Sequence, residues 1–298
     1  MLTGIYLRCD VGTKLNMDLV ERRLSEAVEL GAQSLRIVGG AFDKGQGLLR
    51  IVRTCPDRGI RISGDVEVRD LMKRPVREAA EYFDELAVNV DPSLLVAEDV
   101  DVRGLILNVT TTDQSMDQLI PFTRRMIEVR EAKLLKFSAN ILSMGSPHTY
   151  LTFVERLLTL ADEYPGQIYA LLPWVLTGID HLKITRSVCN YRGIIGLFLD
   201  GAVTACKIGR DKYDPPASLF RLPLMEVLQL DPLVRGIRSL YPQHLTGICA
   251  QCIFRDYCGN LCPARAFNMY GDFACSFPDC QILHDAGLFP GECMNVKP

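Results

Sequence analysis

The sequence predicts an α/β protein, with a (β/α) partial barrel over residues 1–181 and a small cysteine-rich domain over residues 182–298. Three observations carry this. Apolar runs of strand length alternate with segments of helical periodicity six or seven times over about 175 residues, which implies a parallel sheet with helices as crossovers. Right-handed crossovers curl such a sheet toward a barrel. The rhythm breaks at His181, and nine of the 11 cysteines fall in the last 110 residues.

The elements follow in order. Leu2 to Arg8 reads as a buried strand. Asp18 to Leu30 has helical spacing at Leu19, Val20, Leu24, Ala27 and Val28, closed by Gly31, which adopts positive φ without strain. SLRIVGG is a strand, LLRIVRTC a helix stopped by Pro56, and IRISGDVEV a strand. Arg74 to Phe83 reads as a helix with Pro75 near its start. ELAVNV and RGLILNVTT are strands, and Asp117 to Val129 is an amphipathic helix. KLLKFSANIL is a strand, Tyr150 to Tyr164 a helix, and QIYALLPWV a further strand that carries Trp174 as core. Sites on such scaffolds lie at the C-terminal ends of the strands. Those ends hold Cys9-Asp10, Gly39-Gly40-Ala41, Glu67, Asn89, Asn108, Ser138 and Pro173-Trp174. Beyond His181, GLFLDGAVTAC predicts a hairpin turning at Asp200-Gly201. Leu224 to Leu240 predicts one or two short helices broken at Pro232.

The net charge of −3 leaves no basic excess to neutralise phosphates, which argues against a nucleic-acid partner. No apolar run reaches transmembrane length and no signal-peptide pattern opens the chain, so a cytoplasmic protein with no membrane partner is expected. In a reducing compartment the cysteines are not read as a disulfide framework.

The cysteines are spaced for metal chemistry. Cys249, Cys252, Cys258 and Cys262 stand at C-x2-C-x5-C-x3-C, followed by Cys275, Cys280 and Cys293. Upstream, Cys189, Gly201 and Cys206 form C-x11-G-x4-C around the hairpin. A C-x2-C loop turns two thiolates toward one metal while its amides reach the sulfurs. Zinc and iron–sulfur clusters both suit such thiolates.

Seven of these, Cys189, Cys206, Cys249, Cys252, Cys258, Cys262 and Cys280, resemble the SPASM domain, the C-terminal auxiliary-cluster domain of radical SAM peptide-modifying enzymes. LDGAVTAC and YCGNLCPARA are similar to that family's segments around its cysteines. The resemblance implies one or two [4Fe–4S] clusters. Cys189, Cys206 and Cys262 would bind cluster I, and Cys249, Cys252, Cys258 and Cys280 cluster II. A further cluster I ligand in the family stands where this chain has Lys183, so cluster I would have an open iron or take Cys275 or Cys293. Zinc on the same thiolates is the alternative cofactor.

LSEAVELGAQSLRIVGG (Leu24 to Gly40) is similar to the first helix and second strand of the radical SAM barrel, which makes the predicted fold a degenerate radical SAM-like partial barrel. Two departures follow. The SAM-cluster motif C-x3-C-x2-C has only Cys9, with Thr13 and Asn16 at its other positions. The family's Gly-Gly-Glu ends here in Ala41. The resemblance therefore implies no SAM binding and no radical SAM activity of its own. Cys9 reads as a relic ligand or a buried structural thiol, Cys55 as a helix-end hydrophobe, and His244 as the one histidine near the clusters.

A complete cluster domain beside a barrel without its SAM site resembles the SPASM-domain protein of GeoRSP-type systems. That implies a partner protein, relaying electrons or presenting a precursor peptide to a radical SAM/SPASM maturase. Two other readings stand beside it. One is a peptide- or partner-binding module with purely structural metal sites. The other is an enzyme using an open iron of cluster I as a Lewis acid.

Overall fold

The computed structural model describes residues 1–9, 15–39, 46–68, 71, 81–92, 101–177, 190–258 and 261–295. The chain divides into two compact units, Met1–Leu86 with Asn190–Leu240, and Ala87–Cys189 with Tyr241–Pro298. The expected boundary near residue 182 falls outside the described residues, as do Asp10, Thr13, Ala41 and most of the helix expected from Arg74.

In the first unit, β1 (Gly4–Cys9), β2 (Ser34–Gly39) and β3 (Arg61–Glu67) are parallel, and β1 pairs on its other side with β8 (Ile194–Phe198). The order is β3-β2-β1-β8-β9, with β9 (Val203–Ala205) antiparallel to β8. The expected hairpin therefore extends the parallel sheet from Ile194 onward. Its turn requires Gly201, whose φ of +87° is left-handed. Helix α1 (Met17–Glu29) begins where the Asn16 side chain accepts from Leu19 N at 3.2 Å, and Gly31 follows it with φ +98°. Val20, Leu24 and Ala27 form its buried face. Arg23 is buried among them, donating to Glu26 at 3.0 Å and to the Leu219 and Phe220 carbonyls. Helix α2 (Gln46–Thr54) stops before Pro56, and Cys55 behind it is buried. Burial pushes that thiol up to about 11, as expected of a structural cysteine.

In the second unit, the order β4-β5-β6-β7 is parallel throughout: β4 (Glu85–Val90), β5 (Ile106–Thr110), β6 (Leu134–Ser138) and β7 (Ile168–Ala170). One face is fully apolar, with Val88, Leu107, Val109, Leu135, Phe137 and Ile168 buried. On the other, Asn89, Asn108, Lys136 and Tyr169 stand in one half-buried row, and Asn108 donates to the Asn89 side chain at 3.0 Å.

The helix expected over 117–129 is three pieces. A 3₁₀ stretch (Asp113–Gln118) leads into α3 (Leu119–Arg124), which widens into a π turn over Arg125–Val129. The wider turn keeps Met126 and Ile127 facing inward with Leu119 and Phe122. Helix α4 (Pro147–Glu163) is capped by Ser146, which accepts from Thr149 N at 3.0 Å, and buries Tyr150, Phe153, Val154, Leu157 and Leu160.

Strand β7 is shorter than the apolar run QIYALLPWV. It ends at Ala170, and after Pro173 the chain turns into a one-turn helix, α5 (Trp174–Thr177). Trp174 is thus half-buried on a helix and not strand core. The segment broken at Pro232 forms two helices in the first unit, α6 (Leu224–Leu230) and α7 (Pro232–Arg238), and Asp231 caps the second by accepting from Val234 N at 2.8 Å. Among the described residues no helix is long and apolar enough to cross a membrane.

Gly201→Ala should destabilise the first unit by about 2–4 kcal/mol, because an L-residue is strained there and the added methyl would overpack the site. A Cβ at Gly201 would lie 2.2 Å from Leu19 Cγ. Urea unfolding should show a lower midpoint, and an unchanged midpoint would contradict the hairpin geometry.

Candidate metal centre

The cysteine-rich part of the second unit folds as short helices. Cys249 lies in α8 (Gly247–Gln251), and Cys252 directly follows it. Cys258 ends α9 (Arg255–Cys258), Cys262 is the N-cap of α10 (Pro263–Tyr270), and Cys280 lies in the first turn of α11 (Pro278–Asp285).

Side chains from the 276–281 segment satisfy the start of α8. Ile248 N donates to Gln281 at 3.1 Å and Cys249 N to Ser276 Oγ at 2.9 Å, while Ser276 Oγ donates to the Thr246 carbonyl at 2.7 Å. These bonds hold the first C-x2-C turn against α11.

Cys249, Cys252, Cys258 and Cys280 line one small, partly open cavity of about 20 Å³. Its other walls are mainly apolar, from Trp174, Ile248, Phe254, Phe277 and Phe289. Backbone amides point at the sulfurs. Phe277 N donates to Cys249 Sγ and Phe254 N to Cys252 Sγ, each at 3.4 Å. The Trp174 and Leu261 amides favour the ionised form of Cys258. Among the described residues no three His, Cys, Asp or Glu side chains close on a single ion.

Burial pushes all four thiols up, and their mutual repulsion adds to it at Cys252, Cys258 and Cys280. Cys258 is pushed up to about 12. Such a set ionises readily only against a cation, so loading it releases protons.

Asp279, beside Cys280, anchors the site. It is 1% exposed, yet its carboxylate accepts from Tyr150 Oη at 3.0 Å, Ile141 N at 3.2 Å and Arg265 at 3.2 Å. Burial pushes this carboxyl up, and Arg265, Ile141 N–H and the Tyr150 hydroxyl oppose it. Arg265 also lies over the Phe277 ring, 4.7 Å from its centroid. Sequence reasoning missed Asp279 and Arg265. The available signal was a carboxylate wedged between a proline and a cysteine in a run whose neighbours are ligand candidates.

The other candidates lie elsewhere. Cys189 falls outside the described residues, and Cys206 and Cys262 belong to different units. Cys206 ends the hairpin, buried, with a left-handed φ of +49°. Cys293 is buried next to the cavity, its carbonyl accepting from Ile253 N at 2.9 Å while Cys252 bridges to Met294. Cys275 is half-buried outside the cavity lining. His244 is exposed, and its Nδ1 accepts from Tyr241 N at 3.3 Å, a local turn contact. Cys9 closes β1, and its thiol lies outside the described atoms. Asn16 caps α1.

No family profile matches the chain. No curated protein matches it by sequence. Among solved structures it is similar to SuiB of Streptococcus suis, with TM-score 0.63 at 14% identity over 92% of this chain and 76% of that one. SuiB bound to S-adenosylmethionine matches with TM-score 0.62 at 15% identity, over 92% of this chain and 74% of that one. The likeness is one of fold. It gives this chain the α/β fold of SuiB, built on a parallel sheet as expected from the alternation of strands and helices.

Asp279→Ala should cost about 3–5 kcal/mol of stability, since it strands the Arg265 guanidinium, the Tyr150 hydroxyl and a buried amide. Asp279→Asn, which keeps an acceptor, should cost less. Chemical denaturation of both variants checks the order, and equal midpoints would show that the carboxylate is not the anchor.

Proposed function

We propose that this chain is an iron–sulfur partner protein of a peptide-maturation system, holding a precursor peptide or passing electrons beside a separate radical SAM/SPASM maturase. The observation that carries the reading is that Cys249, Cys252, Cys258 and Cys280 line one mainly apolar cavity, with backbone N–H groups donating to the sulfurs of Cys249 and Cys252. A mononuclear zinc site draws its thiolates to about 2.3 Å from one point. Four cysteines on one cavity also match the donor set of a polynuclear cluster, and amide donors at the sulfurs are how proteins adjust such clusters.

Cys249, Cys252, Cys258 and Cys280 would hold cluster II, and Cys189, Cys206 and Cys262 would hold cluster I, with Cys275 and Cys293 as further thiols. A bound [4Fe–4S] cluster supplies one-electron transfer. The chain's own contribution is to orient the thiols through α8, α9 and α11, to exclude water with aromatic walls, and to favour thiolate over thiol through N–H donors. No SAM role is proposed. At the SAM-cluster positions Cys9 is accompanied by Thr13 and Asn16, Ala41 replaces the family's glutamate, and Asn16 is used as a helix cap. A cytoplasmic location and the absence of a nucleic-acid partner belong to the same proposal.

Full-length protein purified without oxygen and reconstituted with iron and sulfide should bind both, at about four of each per loaded cluster. Its reduced form should give an iron–sulfur EPR signal. Cys252→Ala and Cys280→Ala should each remove one cluster's iron. Stoichiometric zinc with no iron would overturn the electron-relay reading and leave a binding module with a structural metal. Co-purification with a radical SAM/SPASM maturase encoded nearby tests the partner role.

A further inference from the structure

Ser276 and Phe277 lie immediately before α11 and hold Cys249 at two points. Cys249 N donates to Ser276 Oγ at 2.9 Å, and Phe277 N donates to Cys249 Sγ at 3.4 Å. Consecutive residues, 27 and 28 positions away in sequence, thus grip the backbone and the sulfur of one cysteine. Ser276 is 3% exposed, and its Oγ donates to the Thr246 carbonyl at 2.7 Å. Thr246 N donates back to the Ala274 carbonyl at 2.8 Å, so the turn before Cys249 is tied on both sides. Gly247 makes this approach possible. Its φ is +60°, and a Cβ there would lie 2.4 Å from Gln281 Oε1 and 2.6 Å from Ser276 Oγ. The donor to Cys252, by contrast, comes from Phe254 in its own loop.

We infer that Ser276 is a positioning residue for the cysteine cavity, holding Cys249 so that its sulfur meets the Phe277 N–H. The grip is made by the chain alone, so it acts on metal-free protein as well as on loaded protein. Its effect on a cluster rests on the iron–sulfur reading above, whereas its effect on the metal-free chain does not. Cys280 stands four residues beyond Ser276, so one short segment sets two of the four cavity cysteines relative to each other. A donor to a ligand sulfur stabilises the more negative, reduced cluster. Without the serine hydroxyl, the Cys249 amide and the Thr246 carbonyl each lose a partner, and the sulfur is released from its donor.

Ser276→Ala removes the grip, and Ser276→Thr keeps the hydroxyl. Phe277→Ala keeps the N–H and removes the ring on which Arg265 rests. Phe277→Pro removes both, and the φ of −55° at Phe277 is close to the value that proline fixes. Two measurements on the full-length protein follow: amide hydrogen exchange at Cys249 before metal is added, and spectroelectrochemical titration after reconstitution with iron and sulfide. Exchange should be about tenfold faster in Ser276→Ala and near parental in Ser276→Thr, the scale of one buried hydrogen bond. At a fixed solution potential, the reduced-to-oxidised ratio of one cluster should be about tenfold lower in Ser276→Ala than in the parent or in Ser276→Thr. It should also be about tenfold lower in Phe277→Pro than in Phe277→Ala. Each tenfold step is about 59 mV for one electron.

Parental exchange at Cys249 in Ser276→Ala would overturn the grip. Faster exchange with a parental potential would make the serine a folding support only and overturn its positioning role. If Ser276→Ala does not fold, the Phe277 pair decides: a lower ratio in Phe277→Pro supports the inference, and equal ratios overturn it. A parent protein that takes zinc and no iron overturns the iron–sulfur reading. Exchange then decides alone, with fast Ser276→Ala and parental Ser276→Thr supporting the grip and equal rates for all three overturning it.

Discussion

A buried carboxylate organises the cysteine-rich end of this protein. A charged group sealed from water is sustained only when its lone pairs are matched by donors. Asp279 meets that demand with donors from three places: Tyr150 on α4, the amide of Ile141 beyond β6, and Arg265 on α10. Each donor fixes a different element, so α11 has one seating. Cys280 follows Asp279 in sequence, and Phe277, two residues earlier, gives its amide to Cys249. The strand–helix scaffold of this unit thus reaches the thiols through one carboxylate. Arg265 adds a second restraint by resting on Phe277 while pairing with Asp279.

The electrostatics of the thiols complement that rigidity. Burial and mutual repulsion keep the sulfurs protonated. The amide donors pull the other way without introducing formal charge. Under the proposed function, protons and metal would compete for the same sulfurs, and metal affinity would rise with pH over the range in which the thiols are normally protonated. Preorganisation lowers the cost of that exchange, because the donors already lie where thiolate charge develops. The mainly apolar walls strengthen every such interaction by excluding water.

How much of this was legible in the sequence depended on the range of the signal. The alternation of strands and helices was, because each element carries its own periodicity and stop signals, as Gly31 and Pro56 show. The gathering of Cys249, Cys252 and Cys258 on one cavity was, because their short intervals keep them on neighbouring turns. Pairing partners were not. Asp200-Gly201 announces a hairpin but not that β8 would lie beside β1, some 190 residues away in sequence. Trp174 was misplaced because an unbroken apolar run carries no periodicity to separate strand from helix. The break came from Pro173, which sits inside the run. The helix over 117–129 hid its π turn for a similar reason: a bulge alters hydrogen bonding while leaving the amphipathic pattern nearly intact. Asp279 was invisible because a single acidic residue reads as surface until its donors, all distant or on another helix, are in place.

The same constraint explains how one cysteine run serves more than one direction. Cys249, Cys252 and Cys258 come from α8, α9 and the turn between them, and all three face the cavity. A regular continuation would carry the next cysteine along the same path. Instead Leu261, buried, takes a left-handed φ of +47°, and its amide returns to the Cys258 carbonyl at 2.9 Å. A left-handed non-glycine residue is costly and persists where its surroundings enforce it. Here it reverses the chain before Cys262, which becomes the cap of α10 and leaves the cavity lining. The fourth place is taken by Cys280, eighteen residues later, delivered by α11. Spacing alone would group the four consecutive cysteines, whereas backbone strain at Leu261 and the buried Asp279 regroup them.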